Sequence, residues 1–203
     1  TVGDDNTNYR GALQADGVTF SRAGEEVFFW PGIHFRNSND DNVSYLDNCI
    51  IEHANNGVYA YHSNPRIVNN VFRNNVDGVE TDANAIPLIA NNTFIENTRP
   101  VSYYSHRVDS TLYGNTYIDN EKNYIELVGT NEYWNFNGTQ KWSNDGAPYR
   151  ITADIIIRYQ NNGGYLPILK IDPGTVVEFN NDKYITVGDD NTNYRGALQA
   201  DGV

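Results

Sequence analysis

Pro65–Val79, PRIVNNVFRNNVDGV, holds two short apolar runs, each closed by an Asn-Asn pair, and ends in Gly-Val. Apolar runs of this length bounded by turn formers read as short strands, because Asn tolerates left-handed backbone and favours turns. The pattern recurs on both sides. Asn48, Asn70, Asn92 and Asn115 return at about 22 residues, a spacing typical of stacked repeats, and aligning them brings other columns into line. Two positions later stand Ile50, Phe72, Phe94 and Tyr117; three earlier stand Tyr45, Ile67, Ile89 and Leu112. His53, Asn75, Asn97 and Asn120 follow five positions after the first column. Val79, Val101 and Tyr124 stand nine after it, with Val58 one residue out of step. Apolar columns thus alternate with Asn columns over four turns, from Tyr45 to about Gly129.

A 22-residue unit of two or three short strands cannot bury its apolar face alone, so successive units must stack. The expectation is an all-β coil of parallel strands, with like residues above one another at the ~4.8 Å strand spacing. Aliphatic and aromatic stacks fill its interior, and Asn48, Asn70, Asn92 and Asn115 form a ladder at the turns. The Leu-x-x-Leu-x-Leu spacing of leucine-rich repeats and the six-residue period of left-handed helices are both absent.

Pro65–Val79 resembles the rung pattern of right-handed parallel β-helix proteins of the pectate-lyase-like architecture. LKIDPGTVVEFNNDKYITVG (169–188), GALQADGVTF (11–20) and WPGIHF (30–35) are similar to the opening rungs of large bacterial and archaeal surface proteins built on that fold. The resemblance covers most of the chain. It implies a right-handed β-helix and an extracellular or cell-surface location, and it says little about activity, because the fold hosts lyases, hydrolases, adhesins and structural coils.

A second, longer period encloses the first. Thr186–Val203, TVGDDNTNYRGALQADGV, repeats Thr1–Val18 without a substitution, so one full period runs from Thr1 to Ile185. Identity over the whole of that stretch exceeds what packing demands, so a recent tandem duplication is the expected source. The chain starts inside a motif that Thr186 continues, and it reads as a single β-helix unit over 1–203, one period plus an overlap. At about 22 residues per rung, the period of about 185 residues gives roughly 8 rungs and about 40 Å of length.

Composition agrees with a soluble, turn-rich chain. Thirty Asn stand beside 15 Tyr and 17 Gly, and mean hydropathy is −0.61. No apolar run approaches the ~18 residues of a membrane span. Twenty-six acidic against 14 basic residues give a net charge of −12 and speak against nucleic acid, which needs a Lys/Arg surface. The single Cys49 lies in an apolar stretch and reads as a packed small residue, not as half of a disulfide.

Several groups are candidates for chemistry. Asp77, Glu80 and Asp82 share a rung, and Glu80 and Asp82 alternate on one strand face at about 7 Å, near the separation of an inverting glycosidase pair. Asp77 falls over Arg99 one rung on, which predicts an ion pair, with the other acids on a solvated face; no catalytic set is expected. His62 and His106 align two rungs apart, too far to share a metal ion. Asp4 and Asp5, repeated as Asp189 and Asp190, have oxygen-rich spacing that suits calcium but lack the Gly and final Glu of an EF-hand, so a turn is the plainer reading and no cofactor is required. Asn39–Asn42 is a second loop of that kind. Tyr59 and Tyr103 fall in one column with Tyr61 and Tyr104 beside them, a row able to stack on sugars if exposed. Asn42, Asn91 and Asn137 begin N-glycosylation sequons.

Two functional expectations follow. One is a structural repeat of an extracellular fibre, stalk or sheath whose partner is itself, head to tail, since a coil leaves open strand edges at both ends. The other is a carbohydrate-binding or carbohydrate-cleaving surface module, using the tyrosines with Glu80 and Asp82.

Overall fold

The computed structural model describes residues 1–6, 10–24, 28–104, 108, 110–129, 138–158, 166–190 and 195–202. Among them the regular elements are strands, and every strand pair is parallel. The first winding comprises β1 (Gln14–Asp16), β2 (Thr19–Phe20) and β3 (Trp30–Phe35). The second is β4 (Tyr45–Asp47), β5 (Ile50–Glu52) and β6 (Ala54–Ala60). The third is β7 (Arg66–Val68), β8 (Val71–Arg73) and β9 (Asp77–Thr81), and the fourth β10 (Leu88–Ala90), β11 (Thr93–Ile95) and β12 (Arg99–Tyr104). The fifth is β13 (Leu112–Tyr113), β14 (Thr116–Ile118) and β15 (Ile125–Val128). Equivalent strands pair from winding to winding, in the orders β1-β4-β7-β10-β13 and β2-β5-β8-β11-β14 and along a longer sheet that begins β3-β6-β9-β12-β15. The result is a right-handed parallel β-helix of about five regular turns.

Two wider windings follow. They contain β16 (Thr139–Trp142), β17 (Tyr149–Ile151) and β18 (Ile155–Ile157), then β19 (Ile168–Ile171), β20 (Val177–Phe179) and β21 (Ile185–Val187); β22 (Ala197–Ala200) comes last. β17 and β20 extend the sheet of β15 to seven strands, while β16-β19-β22 and β18-β21 form two further sheets. Paired residues are 28 to 30 apart here, as in Tyr149↔Val177, Thr139↔Ile168 and Ile155↔Ile185, and 31 apart between β1 and β4. These longer windings mean that one period makes about seven windings and not eight, or roughly 34 Å at the strand spacing.

The core is a set of columns. Leu46, Ile67, Ile89 and Leu112 form one, fully buried. Ile51, Phe72, Phe94 and Tyr117 form another. Phe72 stacks on Phe94 with centroids 5.1 Å apart, and Phe94 on Tyr117 at 5.4 Å. Gly57 and Gly78 let the coil close against these rings. A Cβ on Gly78 would lie 2.4 Å from the Pro100 carbonyl and 2.7 Å from the Phe94 ring.

The register corrects the constant 22-residue alignment. The interval grows from 21 (Leu46 to Ile67) through 22 (Ile67 to Ile89) to 23 (Ile89 to Leu112). Consequently Cys49 and not Asn48 precedes Asn70 in the buried ladder, Ile51 and not Ile50 faces Phe72, Leu46 and not Tyr45 faces Ile67, Ala54 and not His53 precedes Asn75, and Ile125 and not Tyr124 faces Val101.

Each Asn-Asn pair divides two tasks. The first residue is bent: Asn48, Asn69 and Asn91 have φ of 52°, 58° and 57°, and Gly114 fills the next place at 70°. Asn pays the smallest steric cost of any residue with a Cβ in that region. The second residue is buried. Asn70, Asn92 and Asn115 each donate through Nδ2 to the carbonyl of a preceding winding, namely those of Leu46, Ile67 and Ile89. Each Oδ1 accepts from the winding before: Asn70 N and Nδ2 both donate to Asn92, as Asn92 does to Asn115. At the next winding Asp145 takes the acceptor place, bonded by Asn115 N and Nδ2. A parallel ladder, Asn75, Asn97 and Asn120, satisfies the second corner in the same way.

Candidate functional site

Strand alternation sends every second side chain of the seven-stranded sheet outward, so register aligns one outward residue per winding. Tyr59, Glu80, Ser102, Glu126, Arg150 and Glu178 form that column. Beside it, at the start of the strands, Asn56, Asp77 and Arg99 form a second. This face gathers Asp77, Glu80, Arg99, Glu126, Arg150 and Glu178.

Arg99 joins both columns. It grips Asp77 through Nε and Nη2, the latter at 2.7 Å, and reaches Glu126 Oε2 through Nη1 at 2.7 Å. Asp77 and Glu126 are 5% and 8% exposed, so the guanidinium neutralises two acids that water scarcely reaches. The hydrogen bond to Asp77 is the largest reason its own pKa is raised. Glu80 accepts from Asn56 Nδ2. Burial, and then the nearby Asp77 charge, raise its carboxyl above the usual glutamate range. Burial and the Glu80 charge likewise raise the Tyr59 phenol.

Toward the other end of these strands lies an aromatic and imidazole group. His34 meets Tyr59 edge-on at 5.7 Å, Tyr59 is 6.3 Å from Tyr61, and Tyr61 is 4.2 Å from the His62 ring. His62 Nδ1 sits 2.8 Å from Asp82 Oδ2, with Asn84 on its Nε2 at 2.7 Å. Asp82 also accepts from the backbone of His62 and Asn84, which makes it the cap of a turn.

Asp77 and Arg99 form the ion pair that their column predicts. Glu80 and Asp82 do not form a matched pair of free carboxyls: Glu80 is held by Asn56 on the strand face, and Asp82 lies past the end of β9, committed to its turn and to His62. The tyrosine row is broken. Tyr59 faces Glu80 and then Ser102 across the sheet, while Tyr103 points inward and is fully buried, because the shifted register puts it on the other face. Tyr61 and Tyr104 are half-buried. His106 lies outside the described residues. Asn56 and Glu126 escape a reading by constant period, since Asn56 pairs with Asp77 at 21 residues and Ser102 with Glu126 at 24.

The oxygen-rich loops are tied up internally. Asp5 pairs with Arg36 at 3.2 Å, Asp189 pairs with Arg158, and the Asp4 carboxylate accepts from the Asp5 amide. Asp190 is exposed. In the second loop Asp41 accepts from Asn39 and from both nitrogens of Asn64. Among the described residues no three His, Cys, Asp or Glu side chains are grouped to hold a metal. Asn42 and Asn91 are exposed, though Ser44 of the first sequon is buried and donates to Asn39. Asn137 lies outside the described residues.

Coil, columns and ladders together define a right-handed β-helix protein. Residues 18–151 match the family described as periplasmic copper-binding protein (NosD), and with most of its length matched the chain belongs to that family. No curated protein and no solved structure matches it.

Proposed function

We propose that the chain is a structural repeat of a β-helical fibre, stalk or sheath outside the cytoplasm, in which units equivalent to Thr1–Ile185 follow one another end to end and supply length and stiffness. The observation that carries this reading is the identity of Thr1–Val18 and Thr186–Val203, both of which contribute strands to the coil at its opposite ends. The periplasmic description of the family agrees with a location beyond the cytoplasmic membrane. Electron microscopy of native material tests it: filaments of uniform width with an axial period near the roughly 34 Å of seven windings are expected. Separate globular particles would sink the proposal.

Copper binding, from which the family takes its description, does not fit the donors described here. Copper sites draw on clustered imidazole and sulfur ligands. This chain has no Met, its one Cys49 is buried, and His34, His53 and His62 belong to no group of three His, Cys, Asp or Glu among the described residues. The closest arrangement, His62 with Asp82 and Asn84, is a hydrogen-bonded turn.

A second reading rests on Tyr59, Tyr61 and the half-buried Glu80 sharing one face of the seven-stranded sheet. That face would bind a glycan by ring stacking beside a carboxyl acceptor. A glycan array with wild type, Tyr59→Ala and Glu80→Gln checks it; no binding by wild type removes the reading.

A further inference from the structure

The two identical segments are used on opposite edges. Among the described residues of the first copy, the backbone bonds to another winding go forward in the chain. Val2 N donates to the His34 carbonyl and Val2 O accepts from Arg36 N, Asp4 O accepts from Ser38 N, and Gly11 N and O bond Ser38 and Asp40. Leu13 O accepts from Tyr45 N, Gly17 N donates to Asp47, and Gln14–Asp16 pair with Tyr45–Asp47. In the second copy the bonds go backward. Gly188 N donates to Ile157, Ala197 N to Pro167, and Gly202 O accepts from Gly174 N, while Ala197–Ala200 pair with Ile168–Ile171.

Carried over to the same places in the first copy, the backward groups are Gly3 N, Ala12 N and Gly17 O. None of them is used by the first copy's forward bonds. The acidic side chains divide likewise: Asp5 takes Arg36 ahead, Asp189 (the counterpart of Asp4) takes Arg158 behind, and Asp190 (the counterpart of Asp5) is exposed. Neighbouring residues of a parallel strand turn their N–H and C=O groups to opposite edges, so one segment can hold both partners at once. Burial differs between the copies in the same sense. Ala15 is 4% exposed under Leu46, whereas its counterpart Ala200 is exposed; Val187 and Leu198 are 42% and 41% exposed, whereas Val2 and Leu13 pack against the core.

We propose that the forward edge of Thr186–Val203 is the seat for the His34–Asp47 edge of a second copy, in the register that Thr1–Val18 shows: Val187 beside Phe35, Asp190 on Arg36, Gln199 on Tyr45 and Ala200 on Leu46. Thr1–Val18 already occupies that receiving edge, so joining two separate 203-residue chains requires its displacement. This inference rests on the structural-repeat reading and gives it a defined joint.

The test uses the 203-residue chain. Ala15→Glu puts a carboxylate in the core and expels the first copy alone; sedimentation should then show oligomers that grow with concentration. An excess of the peptide TVGDDNTNYRGALQADGV should return them to monomers, and adding Ala200→Glu should abolish them. An Ala15→Glu chain that keeps its strand circular dichroism yet stays monomeric overturns the proposal, as do oligomers indifferent to peptide. Should Ala15→Glu unfold, a disulfide trap decides. Tyr45→Cys with Gln199→Cys, in Cys49→Ala, is refolded from urea at about 1 mM, where linkage in trans matches the effective concentration in cis. Intermolecular disulfides support the joint. Their absence, while Tyr45→Cys with Gln14→Cys closes internally, overturns it. Filaments in native material alongside a failed joint would leave the structural reading standing; failure of both removes it too.

Discussion

Replacing Asn92 with alanine removes four hydrogen bonds at a position 1% exposed. Its Oδ1 accepts from Asn70 N at 2.9 Å and Asn70 Nδ2 at 3.0 Å, and its Nδ2 donates to Ile67 O at 3.0 Å and Asn115 Oδ1 at 3.1 Å. At a net ~1 kcal/mol per bond the loss is about 4 kcal/mol, and one water entering the vacated space would recover no more than about half. Asn48→Ala is the control. Its side chain makes one exposed bond, to Asp16, and its φ of 52° costs alanine about 1 kcal/mol. Urea unfolding followed by circular dichroism, with unchanged slopes, reads both. Equal losses at the two positions, or a loss under about 1 kcal/mol at Asn92, would refute the division of each Asn pair into a bent and a buried member.

Three other outcomes are expected. Arg99→Met leaves Asp77 and Glu126 buried without their cation and should cost about 3 kcal/mol, the low end for a broken buried pair because the guanidinium is itself 26% exposed; Glu126→Gln should cost less, as checked by the same unfolding. Gly78→Ala forces a methyl against the Pro100 carbonyl and the Phe94 ring and should lower stability by about 2 kcal/mol, with a matching drop in melting temperature. Burial raises the Asp145 carboxyl above its usual 3.8, against the donations from Tyr117 and Asn115. Its folded form therefore favours the proton, and its contribution to stability is greatest below 3.8 and declines as pH rises through the raised value. Asp145→Asn should gain on wild type over that interval; a constant difference in urea midpoint would show the carboxyl to be unperturbed.

The columns of Ile67, Ile89 and Leu112 and of Phe72 and Phe94 were legible because each apolar residue sits beside a turn marked by Asn. The error at Asn48 has a local cause. Asn-Asn encodes a bent and a buried residue together, whereas Asn48-Cys49 keeps only the bent one, and a search for Asn aligns the wrong member. Tyr103 was misplaced for the same reason, since a shift of one residue reverses which face a strand residue occupies. Glu126 and Arg150 went unseen because the winding lengthens after β12, and no spacing rule foretells the length of a loop. Asp77 with Arg99 was visible since the interval there still matches the common period.

The two Asn ladders have a direction. The amide-to-amide bonds run always toward the later winding, from Asn70 to Asn92 to Asn115, and the series meets Asp145. An ionised carboxylate accepts and has nothing to donate, so it can receive the series but cannot pass it on. At the other end Cys49 and Ala54 contribute only their backbone amides. The second series likewise leaves the axis when Asn120 turns its Nδ2 to Asn123. Each series thus carries its own punctuation, an opening residue without an amide side chain and a closing acceptor. Both ends of the first series rest on single residues: Asp145→Asn restores a donor at the closing position, and Cys49→Asn adds one at the start.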